Sequence, residues 1–343
     1  MARGDFVPTQ LALCFAEDLA LAKEFHQVVW DEQLEADCRE ILKLAAREDL
    51  GEAGDWTTRA LIPEEALGSA AVVVRCAGVI AGLPAAEMIL EYFDARLEWL
   101  PKVEDGRQVR PGECIARIHG PAASLLTVER LLLNMLGRLS GVATLTRRYV
   151  DAVKGTKARV YDTRKTTPGW RRLEKYAVRC GGGHNHRTGL FQAVLIKDNH
   201  LAADAPLLPT ARSCASQAAL YTPAEAVRRV RQYIEVHVPQ PLRKELIVEL
   251  EVDTLEQLEQ VLPVGPDIVL LDNMSPAELR RAVLRRDECN PAVELEASGG
   301  VDLDRIGEIA ASGVDRISVG ALTHSAVCLD LGLDWLRGET AEC

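Results

Sequence analysis

No two cysteines in this chain stand at C-x-x-C spacing, and the nine present are scattered and odd in number. That argues against a disulfide framework and leaves structural thiols. No apolar run approaches the roughly 18 residues a membrane span needs. The N-terminus lacks the basic start and apolar run of a secretory signal and carries Asp5, Glu17 and Asp18 instead. Thiols without such a signal point to a reducing cytoplasm. Positive charge is also short: 40 Lys and Arg stand against 51 Asp and Glu, a formal charge of −11. An acidic whole argues against a general nucleic-acid or anionic-membrane surface.

The 343 residues, 48% of them hydrophobic, suffice for a sizeable core. By length they divide into roughly two domains of about 150 residues, or hold most of the chain in one barrel. Residues 9–50 read as helical, with Leu34, Cys38, Ile41, Leu42 and Ala45 on one face and Gly51 and Gly54 as the stop. From 68 to 118, short β-rich runs alternate with Gly106 and Pro111-Gly112 turns, and a helix is expected at 84–93. This is a small α+β domain. Residues 121–153 form a leucine-rich helix, of core or subunit-interface kind, with a break expected at 137–141.

After residue 155 the texture is a strand–helix alternation. Apolar runs at 158–161, 193–196, 246–252, 267–271, 293–297 and 316–319 are separated by helix-like segments, among them 222–235, 254–262, 275–286 and 302–311. Doubly buried strands alternating with helices imply a parallel sheet or an incomplete (β/α) barrel. Residues 201–221, rich in Ala, Pro and Ser, read as an irregular insertion without chemistry.

In such barrels the chemistry lies at the C-terminal strand ends. Here those ends carry Asp162-Thr163-Arg164-Lys165, Lys197-Asp198-Asn199-His200, then Glu249, Glu251 and Asp253 at period two, Asp272-Asn273, Ser298-Gly299-Gly300, and Gly320. One polar strand end is an ordinary cap; six in register on one face indicate a site. Residues 162–200 hold eight Lys/Arg against three acids, a net +5 inside an acidic protein. Arginine's planar fork suits carboxylate and phosphate, so the ligand is a strongly anionic small molecule. Arg171, Arg172, Lys175 and Arg179 fall on a helix and read as its solvated face. Arg164, Lys165, Arg187 and Lys197 flank strands or glycines and read as ligands. Glu251 and Asp272 offer hard oxygens that suit Mg²⁺. Ser298-Gly299-Gly300 and Val319-Gly320 have the form of backbone phosphate cradles. His184-Asn185-His186 could pair on a metal, but no third His or Cys stands at a ligand spacing, so a glycine turn presenting polar groups to an anion is the reading.

These strings, together with Glu129-Arg130, Leu271-Asp272-Asn273 and the stretch 296–300, closely resemble quinolinate phosphoribosyltransferase from about residue 35 to 335. The extension before about residue 30 and the long 201–240 connection depart from it. The resemblance implies an N-terminal α/β sandwich domain (1–140, with tail 324–343 packing back on it). An incomplete (β/α) barrel of the type II phosphoribosyltransferase kind follows (141–323). It implies a homodimer, or an assembly of dimers. It implies that quinolinate and phosphoribosyl pyrophosphate give nicotinate mononucleotide, pyrophosphate and CO₂ with Mg²⁺, in de novo NAD synthesis. By resemblance, Arg164, His186, Arg187 and Lys197, helped by Thr163, hold the quinolinate carboxylates, and Arg130 arrives from the neighbouring subunit. Lys165 meets both substrates. Glu251 and Asp272 face the ribose and metal, while Ser298, Gly299, Gly300, Gly320 and His324 bind phosphate. Three alternatives remain: a same-fold paralogue for another pyridine acid, a Schiff-base barrel lyase using Lys197, and a non-catalytic anion sensor.

Overall fold

A computed structural model describes residues 24–201 and 221–336. The long N-terminal helix of the sequence reading is shorter. Helix α1 spans Glu32–Leu50; Asp31 caps it by accepting from the Leu34 N–H at 2.8 Å, and Leu34, Cys38, Leu42 and Ala46 form its buried stripe. Residues 24–31 are not helical but run into the barrel, and the expected helix over 9–23 lies outside the described residues. The insertion at 201–221 also lies outside them, apart from its two end residues.

Helix α2 (Trp56–Leu61) leads into strand β1 (Leu67–Val74), β2 (Gly78–Val79), α3 (Leu83–Phe93), β3 (Glu98–Pro101), β4 (Gln108–Val109) and β5 (Cys114–Pro121). β1 and β3 flank β5 in an antiparallel sheet, covered by α3 and by α4 (Ala122–Ala152). α4 is continuous for 31 residues, so the break expected at 137–141 does not occur. The two glycines answer a packing need instead. A Cβ on Gly141 would stand 2.1 Å from the Val327 carbonyl oxygen, and one on Gly137 3.0 Å from that of Leu329. They let residues 327–329 cross the helix in contact, with the Leu329 N–H donating to the Gly137 oxygen at 2.8 Å.

The catalytic half alternates as its apolar runs predict. In order come β6 (Arg159–Tyr161), α5 (Arg171–Cys180), β7 (Ala193–Ile196), α6 (Asp198–Leu201), α7 (Pro223–His237), α8 (Gln240–Glu245), β8 (Ile247–Val252), α9 (Leu255–Val261), β9 (Ile268–Asp272), α10 (Pro276–Cys289), β10 (Glu294–Ser298), α11 (Ile306–Ala310), β11 (Arg316–Ser318) and α12 (Ala321–His324). All six expected strands lie within a residue of their predicted ends. They form one parallel sheet in the order β6-β11-β10-β9-β8-β7. The strands first and second in sequence stand at its two open edges, so the barrel has six strands where a closed one has about eight. A last strand, β12 (Leu331–Trp335), pairs antiparallel with β1 and returns the chain to the first sheet.

Candidate active site

Period-two alternation carries every second strand residue into the barrel. At the C-terminal strand ends these residues line a cavity of about 700 Å³. Thr163, Arg164 and Lys165 enter it after β6, His186 and Arg187 from the following loop, and Lys197 after β7. Glu251, Asp272 and Ser298 come from the ends of β8, β9 and β10, followed by Gly299, Gly300, Gly320 and His324. Arg130, of the residues assigned to substrates by resemblance, does not line it; its side chain is exposed on α4. Asp253 also stays out, because β8 ends at Val252 and residue 253 turns to solvent.

The cavity lining holds two chemically distinct groups. Arg164, Arg187 and Lys197 form a cationic one. The Arg164 Nε is buried without a hydrogen-bond partner, and Arg187 is tied by Nη1 to the Ala193 carbonyl at 3.1 Å. The carboxylates of Glu251 and Asp272 and the glycine turn after β10 line the same cavity. Gly299 has φ 87°, and a Cβ there would meet the Asn273 Oδ1 at 2.2 Å, so this turn tolerates only glycine. Lys197 joins the two groups by donating from Nζ to Glu251 Oε2.

A buried scaffold holds the cationic loop. Asp162 is fully buried; its carboxylate accepts from the His186 N–H at 2.9 Å and from Asn185 Nδ2 at 2.7 Å, and pairs with Lys175. Lys175 donates further to the His186 carbonyl at 2.8 Å. Burial pushes the Asp162 carboxyl up and the Lys175 amine down, and each one's charge opposes the other's shift. The expectation of a solvated helix face for Arg171, Arg172, Lys175 and Arg179 is therefore wrong. Lys175 is wholly buried, Arg172 meets Asp31 at 3.0 Å, and Arg171 and Arg179 bond the Thr188 and Gly183 carbonyls at 3.1 and 2.7 Å. Helical periodicity places a residue on a face but does not reveal that the face is covered by a loop of later sequence.

Beneath the mouth, His186 meets two glutamates to which the sequence reading gave no role. His186, Glu249 and Glu296 are buried with ligand atoms within 4.8 Å of one another. His186 Nε2 lies 3.1 Å from Glu249 Oε2 and 3.6 Å from Glu296 Oε1. Burial pushes both glutamates up to about 7, with the Glu249 charge adding to the rise at Glu296 and the Glu251 charge to that at Glu249, and pulls His186 down to about 4. His186 Nδ1 accepts the Arg187 N–H at 2.8 Å, so the neutral ring carries its proton on Nε2, which faces the acids as a donor and not as a metal ligand. His184 turns away against Tyr161, with ring centroids 5.2 Å apart, so the two histidines form no metal pair. Glu249 and Glu296 were findable: each precedes a mouth residue of its own strand, Glu251 and Ser298, by one period.

Comparison with known proteins decides the family. The model for the quinolinate phosphoribosyl transferase N-terminal domain matches residues 55–140, and that for the C-terminal domain matches 142–334. The chain belongs to the quinolinate phosphoribosyltransferase family. It is 43% identical over 298 residues to the nicotinate-nucleotide pyrophosphorylase [carboxylating] of Mycobacterium leprae, covering 86% of this chain and 96% of that one. The probable enzyme of that name from Bacillus subtilis is 38% identical over 297 residues, 86% and 92% of the two chains. Among solved structures, nicotinate-nucleotide pyrophosphorylase from Francisella tularensis superposes with a TM-score of 0.77 at 32% identity, covering 91% of this chain and all of that one. The family assignment makes the chain a phosphoribosyltransferase of pyridine nucleotide biosynthesis with the fold described above. Among the described residues no helix is long and apolar enough to cross a membrane.

Proposed function

We propose that the barrel mouth joins quinolinate to phosphoribosyl pyrophosphate, releasing pyrophosphate and CO₂ and leaving nicotinate mononucleotide. The observation that carries this assignment is the mixed lining of one cavity of about 700 Å³: the cations Arg164, Arg187 and Lys197 share it with the carboxylates of Glu251 and Asp272 and with the glycine turn after β10. The cations take the two carboxylates of the pyridine, with Thr163 and His186 beside them. The amides at 298–300, Gly320 and His324 take phosphate, and Lys165 stands between the halves.

The pyridine nitrogen attacks the ribose carbon as pyrophosphate leaves, and positive charge develops on the ribose. Glu251 and Asp272 line the cavity, and we assign their carboxylates to stabilising that charge. The positive pyridinium formed then stabilises the electron pair left on the ring carbon when the adjacent carboxylate departs as CO₂, and a proton from solvent at that carbon completes nicotinate mononucleotide. No protein nucleophile is needed; the residues hold, orient and polarise. Glu251 and Asp272 also offer the hard oxygens that suit Mg²⁺, whose chemistry there is to neutralise the pyrophosphate charge. Arg130, exposed on α4, is assigned to the partner subunit's cavity in a homodimer. Among the described residues Cys38, Cys76, Cys180, Cys289 and Cys328 are free thiols, which fits a cytoplasmic setting.

The Lys197–Glu251 pair speaks against the Schiff-base reading, because the amine is half-exposed and engaged by a carboxylate, not desolvated in an apolar pocket. Assay with quinolinate and nicotinate in parallel tests the assignment. Turnover of quinolinate supports it; turnover of nicotinate alone overturns it in favour of the paralogue.

A further inference from the structure

Residues 24–28 lie ahead of the span matched by the family models, which begins at residue 55. They nonetheless reach the closed end of the barrel. Phe25 is 3% exposed and clusters with Tyr161, Ala193, Ile247 and Ile268 from β6, β7, β8 and β9. Its ring stacks on the His186 imidazole, with centroids 4.2 Å apart and planes at 27°. Two residues on, Gln27 grips the backbone just before that histidine. Gln27 Oε1 accepts from the Asn185 N–H at 2.8 Å and its Nε2 donates to the Asn185 carbonyl at 3.1 Å. The Val28 N–H donates to Asn185 Oδ1 at 2.8 Å. Glu24 anchors the other end, accepting from Arg159 at 2.9 Å, Tyr161 at 2.8 Å and Arg316 at 3.1 Å.

Filling the barrel base requires only apolar volume. The strap does more, because its contacts converge on one side chain of the cavity. Asn185 is bound through its backbone N–H, its carbonyl and its side-chain oxygen, which fixes the chain entering His186. The stack then restricts the ring's tilt, and the Arg187 N–H fixes which edge carries the proton. The geometry points to residues 24–28 as a positioning strap that sets the His186 ring for the pyridine dicarboxylate. This inference rests on the placement of that substrate proposed above. Phe25 and Gln27 touch no substrate themselves and act through Asn185 and His186.

The test is a double-mutant cycle in quinolinate affinity, read by calorimetry, on the full chain. Phe25→Leu keeps most of the apolar volume and loses the stacked ring; Gln27→Ala loses the grip on Asn185 and leaves Phe25 in place. Each is expected to weaken quinolinate binding about 10-fold, since small misplacements of a binding group have effects of that order or more. The KM for phosphoribosyl pyrophosphate should stay unchanged. In a His186→Ala background neither change should weaken binding further, because the residue they position is gone. Unchanged affinity in both single variants, or an equal penalty with and without His186, would overturn the strap and leave a filler whose loss lowers only Tm. If Phe25→Leu does not fold, Gln27→Ala decides alone. A parent chain that neither binds nor turns over quinolinate fails the functional assignment itself and takes the strap with it, an outcome separate from all of these.

Discussion

At the scale of single residues, charge and burial set the behaviour of the site. Arg187→Ala or Lys197→Ala should lower quinolinate kcat/KM by about 10- to 10²-fold while far-UV circular dichroism and Tm hold, since one charge-assisted contact contributes on the order of 1.5–3 kcal/mol. Near-parental kcat/KM in either would contradict the role assigned to these cations. Glu296 gives a pH prediction. Its folded-state pKa is about 7 against an ordinary 4.5, so folding favours the protonated form. The unfolded chain then binds fewer protons than the native one between those values. Stability must fall as pH rises through that window, and the cost persists above it. Glu296→Gln should therefore raise Tm at pH 8 and change it little at pH 5; an equal effect at both would refute the buried-charge account. What sequence revealed at this scale follows chemistry. Arg164, Arg187, Lys197, Glu251 and Asp272 stand out because charge and glycine cluster at strand ends. Lys175 and Phe25 do not, because their roles depend on partners at Asp162 and His186 that only folding supplies.

At the scale of elements, hydrophobic period was largely sufficient. The barrel strands are short apolar runs, and α7 and α10 begin at Thr222-x-x-Glu225 and Ser275-x-x-Glu278, both formed as reciprocal capping boxes. The error at 137–141 has a physical cause: glycine weakens a helix, but here it admits a crossing segment. Gly141→Ala weighs the two effects. Better helix propensity would add about 1 kcal/mol. A methyl group 2.1 Å from a backbone carbonyl cannot be relieved by a side-chain shift and should cost about 1–3 kcal/mol or more. Denaturant unfolding should show net destabilisation; a stabilised variant would mean that residues 327–329 do not press on α4. Lys175→Met leaves the Asp162 carboxylate buried without its cation and should destabilise by about 3–5 kcal/mol. Asp162→Asn with Lys175→Met should recover part of that loss, measured in the same way.

At the scale of the whole molecule, every residue that lines the cavity comes from the barrel half, and β12 ties the chain's end to the first sheet. Arg130 stands apart from that cavity within its own chain, and nothing in the local sequence says across which surface it acts. The dimer assignment predicts complementation: mixed Arg130→Ala and Lys197→Ala subunits should regain activity, because half of the sites in a mixed dimer draw both residues from intact copies. No recovery after subunit exchange would place Arg130 outside the site. The mixed cavity itself is tested most directly by supplying quinolinate labelled in its 2-carboxylate with phosphoribosyl pyrophosphate and Mg²⁺. The account predicts labelled CO₂ and pyrophosphate in equal amounts, neither without the other substrate present. Pyrophosphate released without CO₂, or no turnover of quinolinate at all, would contradict it.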